Sequence, residues 1–145
     1  MIIYNLRKIR ELHNLRQKDI ANIFNVKPST VSGWETGIDP IPLKRLVDYA
    51  NYFKVTLDYL FGITQTSENF QNIIINKNII SKNLKNLRIK NNLTQEYVAK
   101  ILNTNQSSFT HYETGINLIP TSFLFALTKI YMKFSIDELF FDNKQ

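Results

Sequence analysis

The apolar positions of this chain fall into helical stripes. Leu6, Ile9, Arg10 and His13 share one face at helical spacing, which predicts a first helix that Asn14 and Leu15 break. Gln17 to Phe24 predicts a second helix, with Ile20, Ala21, Ile23 and Phe24 turned inward and Asn25 as its C-cap. Pro28 suits the first turn of a third helix, because its missing N–H would have no partner there. That helix runs to about Thr36, and Gly37 ends it. A loop through Pro40-Ile41-Pro42 leads to a fourth helix, about Leu43 to Phe53, with Leu43, Leu46, Val47, Ala50 and Phe53 inward. Thr56 caps a short fifth helix, and Asp58 in its first turn complements the helix dipole. No strand pattern competes.

The same pattern then recurs. Displaced by 78 positions, the stretch Leu6–Pro42 matches Leu84–Pro120 with 15 identities in 37 positions, including Arg10/Arg88, Gln17/Gln95, Ala21/Ala99, Ser29/Ser107, Glu35/Glu113, Thr36/Thr114 and Gly37/Gly115. Val55-Thr56-Leu57-Asp58 matches Phe134-Ser135-Ile136-Asp137 one register further on, which makes Ser135 the last cap. The chain is therefore two copies of one five-helix unit. The expected domains are residues 1–62 and 79–142, with a linker over 63–78. Within the linker, Phe70, Ile73 and Ile74 have helical spacing and predict a short amphipathic helix, about Ser67 to Ile75. Its greasy face either packs on a neighbouring domain or serves self-association, as could the Phe140-Phe141 end.

Composition narrows the function. The 145 residues hold 18 Lys and Arg against 12 Asp and Glu, a formal charge of +6. Each half carries nine basic and six acidic residues, hence +3, whether counted over 1–62 or 63–145. A modest basic excess favours polyanions, nucleic acid first, without proving it. Cysteine is absent, which removes disulfides, thiolate metal sites and Cys nucleophiles and fits a reducing cytoplasm. No run of 18 apolar residues predicts a membrane helix, and the N-terminus has no signal-peptide pattern. The two histidines, His13 and His111, sit at non-equivalent positions, and no metal-ligand cluster, phosphate-binding glycine loop or nucleophile motif appears. The expectation is a protein that is not an enzyme and needs neither cofactor nor metal.

Helices two and three form a tight pair joined by about three residues, with Ala21 and Ala99 where two backbones approach closely. That arrangement is a helix-turn-helix, whose second helix enters the major groove. Helix three fits chemically. Its inward residues are Val31 and Trp34 in copy one and Phe109 and Tyr112 in copy two. Its other positions are small and polar: Ser29, Thr30, Ser32 and Gly33, then Gln106, Ser107, Ser108, Thr110 and His111. Gln106 can read adenine by a bidentate contact, and Thr30 or Ser108 can touch base edges. Lys27 stands at the entrance to helix three of copy one. The pattern shows no carboxylate on this face, where one would argue against DNA.

These residues carry a resemblance. Gln17, Ala21, Ser29, Trp34-Glu35, Gly37 and Pro42, and again Thr94-Gln95, Ala99, Ser107, Tyr112-Glu113, Gly115 and Pro120, resemble the Cro/repressor-type, XRE-like helix-turn-helix family of bacterial and phage regulators. The resemblance covers about 120 of 145 residues and implies an all-α fold of two lambda-repressor-like domains in tandem. It implies that Gln17 and Gln95 touch phosphate and brace helix three, Gln95 pairing with Gln106, while Pro28 lacks that pair. It implies base reading at Ser29 and Ser107 and at Gly33 and His111, and phosphate contact at Thr36 and Thr114. Arg10 with Glu35 and Arg88 with Glu113 match a buried ion pair whose role is structural. The reading is a cytoplasmic, sequence-specific regulator of double-stranded DNA, and the resemblance implies a repressor. The alternative is that one copy binds DNA while the other serves dimerisation or protein interaction, as in an antitoxin or adaptor.

Overall fold

The computed structural model describes residues 1–142, and among these every regular element is helical. The chain divides into two compact units, Met1–Asn72 and Ile73 onward. The first unit contains α1 (Tyr4–Leu12), α2 (Gln17–Phe24), α3 (Pro28–Thr36), α4 (Leu43–Phe53) and α5 (Leu57–Leu60). The second contains α6 (Lys77–Lys90), α7 (Gln95–Ile101), α8 (Gln106–Thr114), α9 (Thr121–Leu127) and a 3-10 turn, Asp137–Phe140.

Local chemistry sets these boundaries in the first unit. Asn14, Asn25 and Lys54 take the left-handed conformation, each with φ of 55°, and close the helices before them. Gly37 ends α3 with φ of 79° and Gly115 ends α8 with φ of 82°, a conformation that favours glycine. A Cβ on Gly37 would also press on the Met1 carbonyl oxygen at 2.7 Å, so the N-terminal segment lies against the end of α3. Pro28 occupies N1 of α3, and the Thr56 hydroxyl accepts the Tyr59 N–H at 3.1 Å. The core of the unit is the stripe of Leu6, Ile9, Ile20, Ala21, Val31, Trp34, Leu46, Val47, Tyr49 and Ala50, all buried. Ala21 lies where α2 packs on α3, and Ala99 where α7 packs on α8, so both small side chains stand at the close approach.

The second unit keeps the plan and changes its ends. α6 starts at Lys77, inside the stretch expected to be linker, and runs for 14 residues against nine in α1. Asn76 caps it, its side chain accepting the N–H groups of Asn78 and Ile79. α9 has seven residues where α4 has 11, because the segment after Leu127 goes through turns instead of helix. Thr128 turns its hydroxyl onto the Phe125 carbonyl at 2.6 Å, a local bond that competes with helix continuation. The chain nevertheless reaches a left-handed lysine, Lys133 with φ of 54°, where α4 ends at Lys54. The fifth element is a 3-10 turn, so the described residues of this unit form four α-helices and one tighter turn in place of the five helices expected.

Two further expectations fail. The amphipathic helix over Ser67–Ile75 does not form, and residues 71–76 have no regular structure. Asn69 is left-handed, with φ of 62°, which breaks any helix there, and three consecutive β-branched residues, Ile73-Ile74-Ile75, disfavour one so short. The first part of this stretch is tied to the first unit, Ser67 Oγ accepting the Thr56 N–H at 2.6 Å. Its apolar residues do not form a common surface: Ile73 is buried, Phe70 is half-buried and Ile74 is exposed. Phe140 is buried too, and Phe141 is half-buried. Ile23, expected inward, is 38% exposed, and its counterpart Ile101 is 44% exposed. Ile20, Ala21 and Phe24 already fill the inner stripe of α2, and residue 23 falls on its flank.

Candidate nucleic-acid interface

The second and third helices of each unit are locked together by one buried bracket. In the first unit Arg10 donates through Nε to Glu35 Oε2 at 2.8 Å and through NH2 to Oε1 at 2.9 Å. NH1 donates to the Leu15 carbonyl in the turn before α2, at 2.9 Å. Gln17, the first residue of α2, adds Nε2 to Glu35 Oε1 at 3.3 Å. A single carboxylate near the end of α3 therefore gathers donors from α1 and α2. The second unit repeats the bracket: Arg88 to Glu113 at 2.7 and 3.0 Å, Arg88 to the Leu93 carbonyl at 2.8 Å, and Gln95 Nε2 to Glu113 Oε1 at 3.0 Å. The glutamate side chains are only 3% and 1% exposed, so the pairing replaces lost water. Hydrogen bonding to Glu35 is the main reason the Arg10 guanidinium sits above its ordinary pKa, and Glu113 acts likewise on Arg88.

With its inner face held in this way, α3 turns Pro28, Ser29 and Thr36 to solvent, with Lys27 exposed just before them and Thr30 and Ser32 half-buried. α8 exposes Gln106, Ser107 and Thr114, with Ser108, Thr110 and His111 half-buried. Val31, Trp34 and Phe109 face the core, while Tyr112 is half-buried at its edge. Most of the sequence-derived reading positions thus share one outer face of each helix.

Three details differ from the sequence reading. The first is Gln95, which does not pair with Gln106. Its Oε1 accepts the Thr110 hydroxyl at 3.0 Å while its Nε2 is held by Glu113. Thr110 therefore braces α7 against α8, and its one hydroxyl hydrogen is shared between Gln95 and the Gln106 carbonyl, 2.9 Å away. A second concerns the threonines at the helix ends: Thr36 donates to the Ser32 carbonyl and Thr114 to the Thr110 carbonyl, each at 2.9 Å. Phosphate only accepts hydrogen bonds, so either hydroxyl must give up this bond to reach one. The third is Gly33, which is buried. A Cβ built there would overlap the Asp39 carboxylate, whose carbon lies 2.9 Å away. The outer face of α3 therefore does carry a carboxylate, contrary to the sequence expectation. It comes from the following loop, where helical periodicity has nothing to say about it.

The two helices also start differently. Asn105 accepts the Ser108 N–H through its side chain at 2.7 Å, whereas Lys27, in the same place before α3, offers no side-chain cap. One repeated clamp also went unread. Asn5 donates to the Tyr59 carbonyl at 2.6 Å, and Asn83 donates to the Leu139 and Phe141 carbonyls, both at 2.9 Å. Asn5 and Asn83 are identical at the same displacement of 78, one position before the aligned block, so the signal was present in the repeat itself.

His13 ends α1 as its C-cap residue, its Nδ1 3.0 Å from the Ile9 carbonyl oxygen and its ring 4.8 Å from that of Phe53. Among the described residues no cluster of three His, Cys, Asp or Glu side chains is arranged to hold a metal, and no helix is long and apolar enough to cross a membrane.

A helix-turn-helix family model matches the chain twice, at residues 6–60 and 84–139. The chain belongs to this helix-turn-helix family. The two matches fall one in each structural unit, so the tandem organisation of the fold and of the family agree. Domains of this kind are found as DNA-binding modules of transcription regulators. It is also similar to YobD of Bacillus subtilis (strain 168), an uncharacterized HTH-type transcriptional regulator, with 31% identity over 64 residues. That alignment covers 44% of this chain and 57% of the relative, so the chain spans little more than half of the protein it matches. No solved structure matches it.

Proposed function

We propose that both units bind double-stranded DNA, each laying its third helix, α3 or α8, in the major groove, and that the chain acts as a transcriptional repressor from the cytoplasm. One observation carries this reading: the same Arg–Glu–Gln bracket presents a small, polar outer helix face in both units. Small polar side chains let a helix backbone come close to base edges, and a helix held from behind keeps its register there. The outer faces differ, with Pro28 and Ser29 in one and Gln106, Ser107 and His111 in the other. One chain therefore reads two unlike half-sites, and no strict palindrome is required. Tethering raises the second unit's effective concentration toward the millimolar range, which adds avidity without new contacts.

Selection of bound sites from random duplexes, followed by footprinting, tests the proposal. The expected result is protection of roughly 20 base pairs with asymmetric halves, and affinity that falls roughly 10³-fold or more between about 50 and 200 mM salt. A single short half-site, unchanged when Gln106, Ser107 and His111 are all replaced, would show that the second unit does not read DNA. Weak binding with a flat salt response and no sequence choice would remove the DNA reading altogether.

A further inference from the structure

The outer face of α3 has a gap and an occupant. Gly33 supplies no side chain at a position where α8 has His111. The space is filled from outside the helix. A Cβ on Gly33 would overlap the Asp39 carboxylate and would lie 2.9 and 3.1 Å from Asp39 Cγ and Cβ. The carboxylate therefore occupies the start of the path that a residue-33 side chain would take. Two constraints hold it there. The Asp39 N–H donates to the Gly33 carbonyl at 3.1 Å, and Pro40 confines the residue before it to extended backbone. Asp39 is exposed, and among the described residues no cation or hydrogen-bond donor engages its side chain. The second unit lacks this device: Asn117 makes the equivalent backbone bond to the His111 carbonyl at 3.2 Å, and Leu118 follows it instead of proline.

From this geometry we infer that Asp39 is the base-reading group of the first unit at this position, a surrogate side chain for Gly33 that selects cytosine. The inference rests on the proposal that α3 enters the major groove. A carboxylate only accepts hydrogen bonds, so in the groove it needs a donor. Cytosine offers its N4 amino group there. Guanine offers the acceptors N7 and O6, thymine offers O4 and a methyl group, and adenine sets the acceptor N7 beside its amino group. Three bases therefore oppose the carboxylate with at least one acceptor, and cytosine does not. Glycine at residue 33 has a matching role, because any larger residue would push Asp39 aside.

The test uses the full chain and the duplex selected above, with every base pair substituted in turn. Wild type should favour cytosine at one position of one half-site. Asp39→Ala should reduce that preference roughly 5- to 100-fold, the span of one good base contact, and leave the other positions unchanged. Gly33→Ala should do the same, because its methyl group displaces the carboxylate. It adds a better helix former, and thermal melting of the variant checks that the first unit still folds. Combining the two should add nothing to either alone. Asp39→Asn should move the preference toward adenine, which an amide pairs with bidentately. The inference is overturned if Asp39→Ala leaves the base preferences intact, including the case where it tightens binding to all sequences alike by removing a negative charge. Failure of wild type to bind any duplex would instead overturn the proposed function itself.

Discussion

α3 and α8 have the same length of nine residues, end at a left-handed glycine and are gripped from behind by the same Arg–Glu–Gln bracket. Their sequences share only Ser29/Ser107, Glu35/Glu113 and Thr36/Thr114. The shared glutamates hold the helix in place and the shared threonines stand at its end, while Ser29 and Ser107 are shared on the exposed face. The outward differences are Pro28 against Gln106, and Gly33 with Asp39 against His111 with Asn117. A buried charge cannot change alone, because its partner would be stranded, whereas an exposed reading position changes at little structural cost. The two units are therefore one scaffold carrying two surfaces.

The largest expected effect would break the shared part. Glu113→Ala strands Arg88 in a site where its side chain is 13% exposed, and it should cost about 3–5 kcal/mol in the second unit. Glu35→Ala should cost the first unit a similar amount. Chemical denaturation of the full chain reads both. A large loss in one unit and none in the other would show that the brackets are equivalent in geometry only. If Glu113→Ala kept its stability and changed base preference instead, the division between holding and reading would be wrong.

The next effect falls on the surface that differs. Gln106→Ala should weaken binding by about 1–3 kcal/mol and relax choice at one position, with melting unchanged. Pro28→Ala, at the same place in α3, should leave base preference alone, since a proline ring has no groups to pair with a base edge. A shared response to the two substitutions would mean that helix entry matters more than side-chain chemistry.

The scaffold was legible in the sequence and the ends of the copies were not. The helices of the first unit follow from periodicity, from Asn14, Asn25 and Gly37, and from Pro28, all of which act within a few residues. The Arg–Glu pairs follow from the family resemblance, though Gln17 and Gln95 joining them does not. The resemblance implied phosphate, or in the second unit Gln106, as partners for these glutamines, and choosing among partners needs the packed geometry. Asp39 was hidden for a similar reason. Its effect on Gly33 runs through a loop, where no period places the side chain. In the second unit, α9 stops at Leu127, just before Thr128 turns its hydroxyl onto the Phe125 carbonyl, and the fifth element is a 3-10 turn. The linker misled because three apolar residues at the right spacing do not make a helix across a left-handed asparagine.

A smaller effect sharpens the comparison at the helix starts. Asn105→Ala removes the cap of α8 and should cost about 1 kcal/mol, read as a lower midpoint for the second unit. Lys27→Ala should change the first unit by no more than about 0.5 kcal/mol, since no cap is lost. Lys27→Asn should stabilise it if asparagine can cap α3 as it caps α8. Failure to do so would show that Pro28 sets a helix entry that a side-chain cap cannot use.

The smallest effect concerns two phenols that reach similar surroundings from different places. Tyr49 lies within α4 and Tyr131 lies after α9, and they are not counterparts in the repeat. Both are buried, and neither hydroxyl finds a hydrogen-bond partner among the described residues. Burial is the main reason that each phenol resists ionisation well above the usual tyrosine range, with Glu35 or Glu113 adding to the effect and Arg10 or Arg88 opposing it. An unpaired buried hydroxyl is a cost, so Tyr49→Phe and Tyr131→Phe should be neutral or stabilising, by up to about 1 kcal/mol. The pH dependence has a definite sign. Below about pH 10 both folded and unfolded phenols keep their protons, and the native contribution is complete. Above it the unfolded chain loses protons that the folded chain retains, so stability falls as pH rises toward the raised native values. Melting followed between about pH 9 and 11 should therefore decline in wild type and decline less in each Phe variant. If Tyr49→Phe destabilised the first unit and left its alkaline response unaltered, the hydroxyl would have a partner and Tyr49 would belong to the bracket.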